Sequence, residues 1–435
     1  MLNKPADQDG AGVALPEIRP AFAVLFLAFL YLTLSNRVEL VQHLGNWHDQ
    51  QRFLQLLLLA FVALVTAIYP PAGMPRTAIV LLGLALASGL TAAQPGWAFA
   101  EVAVFLGLIL TVYWCRIAFR GALQVDPQPL MLGLLVLGAL SLLLPLVVTV
   151  AIFLDDRAVR EIHALFDGYS NRRFFSQTQS ILLPLLLLPL FATRATQNMR
   201  RASWVLCTGF WVLAFAVGTR AFYVATLAGA VFAWWFSPAA GRAWVKMQAR
   251  AAGIGLLIYL VVFVLGPQIF GFALQTDNIR LREVSTLTST SNRWQLWMTA
   301  LQLSLGHPLL GIGPMQFATL PMELNAMGVF TAHPHNTVVQ LCVEFGMPFA
   351  ALSGWIVSKG FIRHFRAARN PGSGDAQREI FAISLLVAAV YSLLDGSIVM
   401  PYTQVLFSVI LGWGLAISDV NAARPFPASA NRPTA

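Results

Sequence analysis

Long apolar segments recur along the whole chain, and they limit its possible folds more than any other feature of the sequence. A helix needs roughly 20 apolar residues to cross the hydrocarbon core of a bilayer, and many segments reach that length. Hydrophobic residues make up 57% of the chain and charged residues only 11%, whereas soluble domains carry about 25% charged residues. The sequence therefore predicts an all-α polytopic integral membrane protein.

The apolar runs predict about twelve transmembrane helices. They cover approximately residues 21–36, 53–70, 77–93, 98–115, 129–153, 178–193, 203–219, 221–236, 251–268, 335–357, 380–397 and 401–418. The seventh and eighth lie so close together that we expect a hairpin with Thr219 and Arg220 at its tip. The predicted division is a disordered cytoplasmic tail (1–20), one transmembrane domain (21–418) and a second disordered cytoplasmic tail (419–435).

The distribution of basic residues predicts the orientation of the helices. With a cytoplasmic N-terminus, 18 of the 28 Lys and Arg side chains fall inside and ten fall outside, and cytoplasmic loops normally carry this excess. The chain is therefore expected to be N-in and C-in. The net charge of +9 is spread over short loops, which indicates topology and contact with anionic membrane lipids rather than binding of nucleic acid.

Two outer segments are long enough to hold structure of their own, at about 154–177 and 269–334. The first contains four arginines, which are good bidentate phosphate ligands: Arg157, Arg160, Arg172 and Arg173. The second contains "SNRWQLWMTALQLSLG", which predicts a short amphipathic helix. Its bulky apolar residues recur at helical spacing and suit a membrane surface: Trp294, Trp297, Leu301 and Leu305.

Three ionisable residues are expected near the outer membrane surface, and such residues need an explanation in a chain of this kind. Arg220 lies at the hairpin tip and is either an arginine that extends to the headgroups or an anion clamp. Arg293 begins the amphipathic helix, where the helix dipole does not favour a cation. It is either a solvated helix residue or a functional one.

His335 lies in "TAHPHNTVVQ" at the start of a predicted span. Pro334 is expected to open the helix, so His335 falls in the first turn, where the dipole and nearby arginines disfavour protonation. A neutral imidazole near pH 7 suits a general base; the alternative is a polar interfacial histidine. His333 precedes the proline and is predicted to be an extended loop or capping residue.

A metal site built on His333 and His335 is the competing hypothesis. The outer carboxylates Asp277, Glu283 and Glu323 show no ligand spacing, and a metal that holds pyrophosphate usually needs carboxylate oxygens. We therefore predict no metal. The three cysteines each lie in an apolar segment and form neither a disulfide framework nor a zinc pattern: Cys115, Cys207 and Cys342.

Further polar residues fall within the predicted spans. Asn336, Gln340 and Glu344 recur every four residues and form one helical stripe, for which hydrogen bonding between helices is the expected role. Asp395 ends an apolar run in "SLLDGSIVMP" and is predicted to pair with an arginine or to orient the histidine.

These residues carry a family likeness. The stretch "SNRWQLWMTALQLSLGHPLLGIGPMQF", followed by "HPHNTVVQLCVEFGMPF", resembles the signature region of O-antigen ligases and polymerases, the Wzy_C-like family. The similarity consists of an Arg, a Trp four residues later, His-Pro-Leu with Gly-x-Gly, and His-Asn opening a helix that ends near Glu-x-Gly. "GTRA" around Arg220 is similar to the family's Gly-Ser-Arg stretch, with Thr in place of Ser.

The resemblance implies a GT-C-type membrane glycosyltransferase whose active site faces the periplasm, in a bacterial inner membrane. It implies a glycan on undecaprenyl pyrophosphate as donor, lipid A–core as the acceptor in ligases, an inverting reaction and no metal or other cofactor. On this reading Arg220 and Arg293 hold the pyrophosphate and His335 is the base.

Other residues are predicted to contact the substrates: Arg157, Arg160, Arg172, Arg173, Asn336, His333 and Asp395. The alternatives are an O-antigen polymerase and, less favoured because no internal repeat is found, a transporter. The oligomeric state stays open.

Overall fold

The computed structural model describes residues 15–37, 47–71, 75–157, 159–161, 165–166, 169, 172–237, 240–275, 293–319, 333–368, 376–396 and 400–422. Its helices up to residue 236 are α1 (Leu15–Leu34), α2 (Trp47–Ile68), α3 (Arg76–Leu90), α4 (Pro95–Val125), α5 (Gln128–Leu154), α6 (Arg172–Leu185), α7 (Leu188–Phe191), α8 (Gln197–Val217) and α9 (Arg220–Phe236).

The later helices begin with α10 (Ala240–Tyr259), which continues through a π-helical turn (Leu260–Leu265) into α11 (Gly266–Ile269). They end with α12 (Arg293–Gly306), a 3₁₀ turn (Phe317–Thr319), α13 (Thr337–Phe345), α14 (Met347–Ala368), α15 (Ala376–Asp395) and α16 (Pro401–Ala422). Two short strands complete the described structure: β1 (Val159–Glu161) and β2 (Ala273–Gln275).

Seven helical segments of the described residues are long and apolar enough to cross a membrane: Asp49–Ile68, Pro95–Val125, Gln128–Leu154, Arg172–Phe191, Ala240–Ile269, Ala376–Asp395 and Pro401–Val420. Three shorter apolar helices match further predicted spans: Ile18–Leu34, Arg76–Leu90 and Arg220–Phe236. The predicted all-α membrane architecture is therefore supported, while the count of twelve spans and the GT-C class stay predictions.

Several predicted boundaries differ from the structure. The helix α1 begins at Leu15, inside the predicted N-terminal tail, and α16 continues to Ala422, inside the predicted C-terminal tail. The extension of α16 is stabilised by Asp419, whose carboxylate accepts two hydrogen bonds from Arg116 at 2.6 and 2.9 Å. Polar and charged residues thus lengthen helices beyond the apolar runs from which the spans were predicted.

The two long outer segments meet in a parallel two-stranded sheet, which an all-α prediction does not include. Val159 of β1 pairs with Ala273 of β2, and the register continues to Glu161 and Gln275. Residues predicted on one side of the membrane therefore lie together. The same holds for the turn after α3, since the Gln94 backbone N–H donates to Gln316 Oε1 at 2.8 Å.

The helices α9 and α15 run antiparallel and pack closely. A Cβ at Gly229 would come within 2.4 Å of the Val387 side chain, so glycine permits the close approach. At the far end of the pair the Ser237 hydroxyl hydrogen-bonds to Glu379. At a rise of ~1.5 Å per residue, this register puts Arg220 level with Asp395, and we call this level the Asp395 end of the bundle.

Candidate active site

The carboxylate of Asp395 is the centre of a hydrogen-bonded group at the C-terminus of α15. Its Oδ1 lies 3.0 Å from Arg293 Nη2 and 3.5 Å from His335 Nδ1. Asp395 is only 1% exposed, and a buried carboxylate requires such partners because desolvation otherwise disfavours its charge. Asp395 therefore contacts both Arg293 and His335. The sequence predicted that it pairs with an arginine or orients the histidine.

Arg293 is the first residue of α12, but its guanidinium group lies at the C-terminus of α15. Its Nη1 donates to the Leu394 carbonyl oxygen at 2.7 Å, beside the contact with Asp395. The last carbonyls of a helix carry partial negative charge, so a guanidinium is favoured there. The dipole of α12 disfavours a cation at its N-terminus, but the C-terminus of α15 stabilises the charge of Arg293.

The backbone of His335 differs from the prediction. The helix α13 begins at Thr337, so the prediction that Pro334 opens the helix and that His335 lies in its first turn is wrong. Asn336 is the N-cap, and its side-chain oxygen accepts from the Val339 N–H at 3.1 Å. A capping side chain satisfies one of the unpaired N–H groups of the first turn, so Asn336 determines where α13 starts.

His335 itself has a φ of +52°, in the left-handed region that non-glycine residues rarely adopt. Its backbone N–H points to His333 Nδ1 at 3.4 Å, and the two rings lie 4.2 Å apart. Gly396 packs against it, since a Cβ at Gly396 would lie 3.3 Å from the His335 backbone. Such backbone strain is retained at sites that need a fixed side-chain direction.

Arg220 lies at the tip between α8 and α9, as predicted. The helix α8 ends with Gly218 in the left-handed conformation, and α9 begins at Arg220. Arg220 is exposed and lies level with Asp395 in the antiparallel packing of α9 on α15. The two predicted clamp arginines and the histidine therefore lie at the same end of the bundle.

The first turn of α6 also lies at this end, together with Arg172 and Arg173. The Tyr391 hydroxyl is 3.4 Å from the Arg173 carbonyl oxygen, and Gln177 Nε2 lies 3.5 Å from the Asp395 carbonyl oxygen. Of the other two predicted arginines, Arg157 is exposed and bonds to its neighbour Asp155 at 2.6 Å. The backbone of Arg160 lies in β1, and its side chain is outside the described structure.

The predicted span 335–357 is interrupted at Gly346, and the glycines of the signature stretch explain how. The Ile312 and Gly313 N–H groups donate to the Val343 and Glu344 carbonyls at 2.8 and 3.0 Å. These last carbonyls of α13 have no partner within the helix. We call this packing of residues 308–313 on residues 343–347 the glycine clasp. Its hydrogen bonds take the place of those that a helix continuing past Gly346 would form.

Glu344 and Gln340 lie on one face of α13, as the predicted stripe requires, and Gln340 Nε2 lies 3.3 Å from Glu344 Oε2. The nine residues of α13 are too few to cross a membrane. The predicted role was hydrogen bonding between helices, whereas the contact between Gln340 and Glu344 lies within α13, and Asn336, the third member of the predicted stripe, caps the helix instead.

A substitution in the glycine clasp tests this account. Gly346→Ala is expected to destabilise the fold by roughly 1–3 kcal/mol, because φ at Gly346 is +87° and a Cβ would lie 2.2 Å from the Leu309 carbonyl oxygen. Thermal unfolding in detergent measures the effect. Gly354→Ala in α14 is the matched control, since nothing lies within 4 Å of its added Cβ; an equal loss in both variants would contradict the account.

No group of three or more His, Cys, Asp or Glu residues that could hold a metal ion occurs among the described residues. The carboxylates Asp277, Glu283 and Glu323 lie outside that part of the chain. The described site instead offers two guanidinium groups, the imidazoles of His333 and His335, and one carboxylate. Such a set can bind a diphosphate through the arginines and accept a proton on a histidine.

Sequence reasoning overlooked Tyr391 and Gly396 as contributors to this site, and it assigned Trp297 to the membrane surface and the family signature rather than to a contact with Pro334. Tyr391 donates to Asp395 Oδ2 at 3.1 Å from four residues earlier on the same helix, a spacing at which helical side chains meet. Trp297 Nε1 donates to the Pro334 carbonyl at 2.8 Å. Gly396 ends α15, and a glycine directly after an apolar run is a known helix-end signal that would have placed the end at Asp395.

Residues 202–353 match the Wzy_C family model, which is described as O-antigen ligase. The match is consistent with a member of the O-antigen ligase and polymerase family and suggests a membrane enzyme of the glycosyltransferase kind. It covers roughly a third of the chain and includes Arg220, Arg293 and His335, while Asp395 lies beyond it. No curated protein matches the chain.

Proposed function

We propose that this chain, whose residues 202–353 match the Wzy_C family model, transfers O-antigen polysaccharide from undecaprenyl pyrophosphate to the outer core sugar of lipid A–core. The observation that carries the proposal is the contact of Asp395 Oδ1 with both Arg293 and His335. A phosphate-binding side chain and a proton acceptor are thereby held together at one end of the bundle. The reaction would take place on the periplasmic face of a bacterial inner membrane.

In this reaction the arginines act on the leaving group. The bond between the anomeric carbon and the pyrophosphate oxygen breaks, and the electron pair passes to the pyrophosphate. Guanidinium groups fixed in advance stabilise charge that develops in the transition state. Arg293 is held by Asp395 and by the Leu394 carbonyl, while Arg220 supplies a second guanidinium from the α8–α9 tip.

His335 acts on the acceptor. When Nδ1 carries its proton toward Asp395, Nε2 has the lone pair that accepts the proton of the acceptor hydroxyl. The hydroxyl oxygen attacks the anomeric carbon from the face opposite the pyrophosphate, which gives inversion without a covalent enzyme intermediate. The contact of 3.5 Å between His335 and Asp395 is expected to shorten when substrate is bound, as is common for catalytic hydrogen bonds.

A transfer assay with purified components tests the proposal. The protein in lipid nanodiscs is mixed with undecaprenyl-pyrophosphate-linked O-antigen and lipid A–core, and the expected product is full-length lipopolysaccharide. If the glycan instead grows on a second lipid-linked glycan and lipid A–core stays unmodified, the enzyme is a polymerase. A deletion strain distinguishes the same two activities, because loss of a ligase leaves bare core whereas loss of a polymerase leaves core with a single repeat.

The same assay tests the role of metal. Transfer is expected to continue at an unchanged rate in excess EDTA, because the proposed arginines do the work of a divalent cation on the pyrophosphate. Magnesium and manganese are then added back in separate reactions. Activity that is lost in EDTA and restored by one cation would contradict the metal-independent mechanism.

A further inference from the structure

The two carboxylate oxygens of Asp395 have different partners. Oδ1 faces Arg293 and His335, whereas Oδ2 accepts a hydrogen bond of 3.1 Å from the Tyr391 hydroxyl. Asp395 is almost fully buried, so each oxygen depends on protein donors. The direction of Oδ1 is therefore linked to the presence of the hydroxyl group on Tyr391.

Tyr391 is itself fixed in position. It is completely buried in α15, and its hydroxyl lies between Asp395 Oδ2 and the Arg173 carbonyl oxygen, at 3.1 and 3.4 Å. A charged acceptor gives the stronger hydrogen bond, so the proton points to the carboxylate. The single hydroxyl proton is therefore donated to Asp395, and the Arg173 carbonyl oxygen is only a near neighbour of the hydroxyl.

We propose that Tyr391 is a positioning residue of the transfer reaction, an inference that rests on the proposed function. Its hydroxyl occupies Oδ2, so that only Oδ1 faces Arg293 and His335. Without the Tyr391 hydroxyl, Oδ2 of Asp395 has lost its hydrogen-bond donor. We expect the carboxylate to rotate until both of its oxygens accept from the Arg293 guanidinium, because a bidentate pair is the preferred geometry of an arginine with a carboxylate. That rotation withdraws Oδ1 from His335 and leaves the imidazole without its orienting partner.

The test is Tyr391→Phe, which removes one oxygen atom and keeps the buried ring. In the transfer assay kcat is expected to fall about tenfold, in line with the loss of a hydrogen bond to a charged group, while the KM for the donor is unchanged. The matched control is Tyr402→Phe in α16, since Tyr402 is also buried and its hydroxyl donates to the Leu32 carbonyl at 3.1 Å. The control is expected to keep the wild-type kcat.

A double substitution separates positioning from packing. In an Asp395→Ala background, measured under single-turnover conditions with long incubation, Tyr391→Phe should cause no further loss, because the residue through which it acts is absent. An equal loss in both backgrounds, or full activity of Tyr391→Phe alone, overturns the inference. If Asp395→Ala does not fold, the comparison of kcat and KM between the two tyrosine variants decides.

The proposed function and this inference fail in different ways. A wild-type protein that transfers no glycan refutes the proposed function. A wild-type protein that transfers glycan, together with a fully active Tyr391→Phe variant, refutes the role of the tyrosine alone.

Discussion

Replacing His335 with alanine is expected to reduce transfer by at least about a hundredfold, the lower limit typical of a lost general base. His335 is the imidazole that contacts the buried Asp395 carboxylate, with Nδ1 at 3.5 Å. The ring of His333 lies 4.2 Å from that of His335, and His307 is exposed. The measurement is the rate of transfer from the lipid-linked glycan to lipid A–core at saturating donor.

The left-handed backbone at His335 calls for a second variant. Alanine is strained at a φ of +52°, whereas asparagine tolerates this region and has no basic nitrogen. His335→Asn should therefore fold as well as the wild type and be equally inactive. His307→Ala, in the same signature stretch, is the matched control and should keep full activity. Retained transfer in His335→Asn would remove the base assignment.

Replacing Arg220 with alanine is expected to lower kcat/KM for the donor by about a hundredfold, the scale seen when one preorganised donor to a developing charge is lost. The side chain is exposed at the α8–α9 tip, so the fold should persist. Arg220→Lys should recover part of the activity, because lysine keeps the charge but not the planar pair of donors. Binding of undecaprenyl pyrophosphate to the purified protein measures the same loss without chemistry.

The control for this variant is Arg242→Ala. Arg242 is exposed near the opposite end of α9, where it lies over the Trp234 ring and donates to the Trp234 carbonyl. It is an arginine of similar exposure at the other end of the bundle, so donor binding should not change. If the two variants weaken binding equally, the effect reflects net charge and the Arg220 assignment is wrong.

The helices follow from the apolar runs, and so does part of the site. Alternating sides of the membrane require that Arg220, Arg293 and His335 come near one plane, and the antiparallel packing of α9 on α15 agrees with this. Asp395 could be named as a partner because a carboxylate at the end of an apolar run needs a cation. Local composition and the alternation of sides were sufficient for these predictions.

The conformation of His335 could not be predicted from its own neighbourhood. "HPHN" suggests a helix that begins at the proline, but α13 begins at Thr337. Trp297 donates a hydrogen bond to the Pro334 carbonyl, and Gly396 packs on His335. The break at Gly346 has the same origin, because the donors that replace the helical hydrogen bonds come from residues 312 and 313. Each of these features depends on contacts between residues far apart in sequence, which local propensity does not contain.

The position of Asp395 on α15 has a consequence for biogenesis. Arg220 and Arg293 are synthesised long before the carboxylate that holds Arg293, and α15 is the second-last helix of the described chain. Chains enter membranes from the N-terminus as they are translated, and non-local contacts form only when both partners exist. A nascent chain stalled before α15 therefore carries Arg293 and His335 without the carboxylate that contacts both, so the proposed site can form only after α15 has been synthesised.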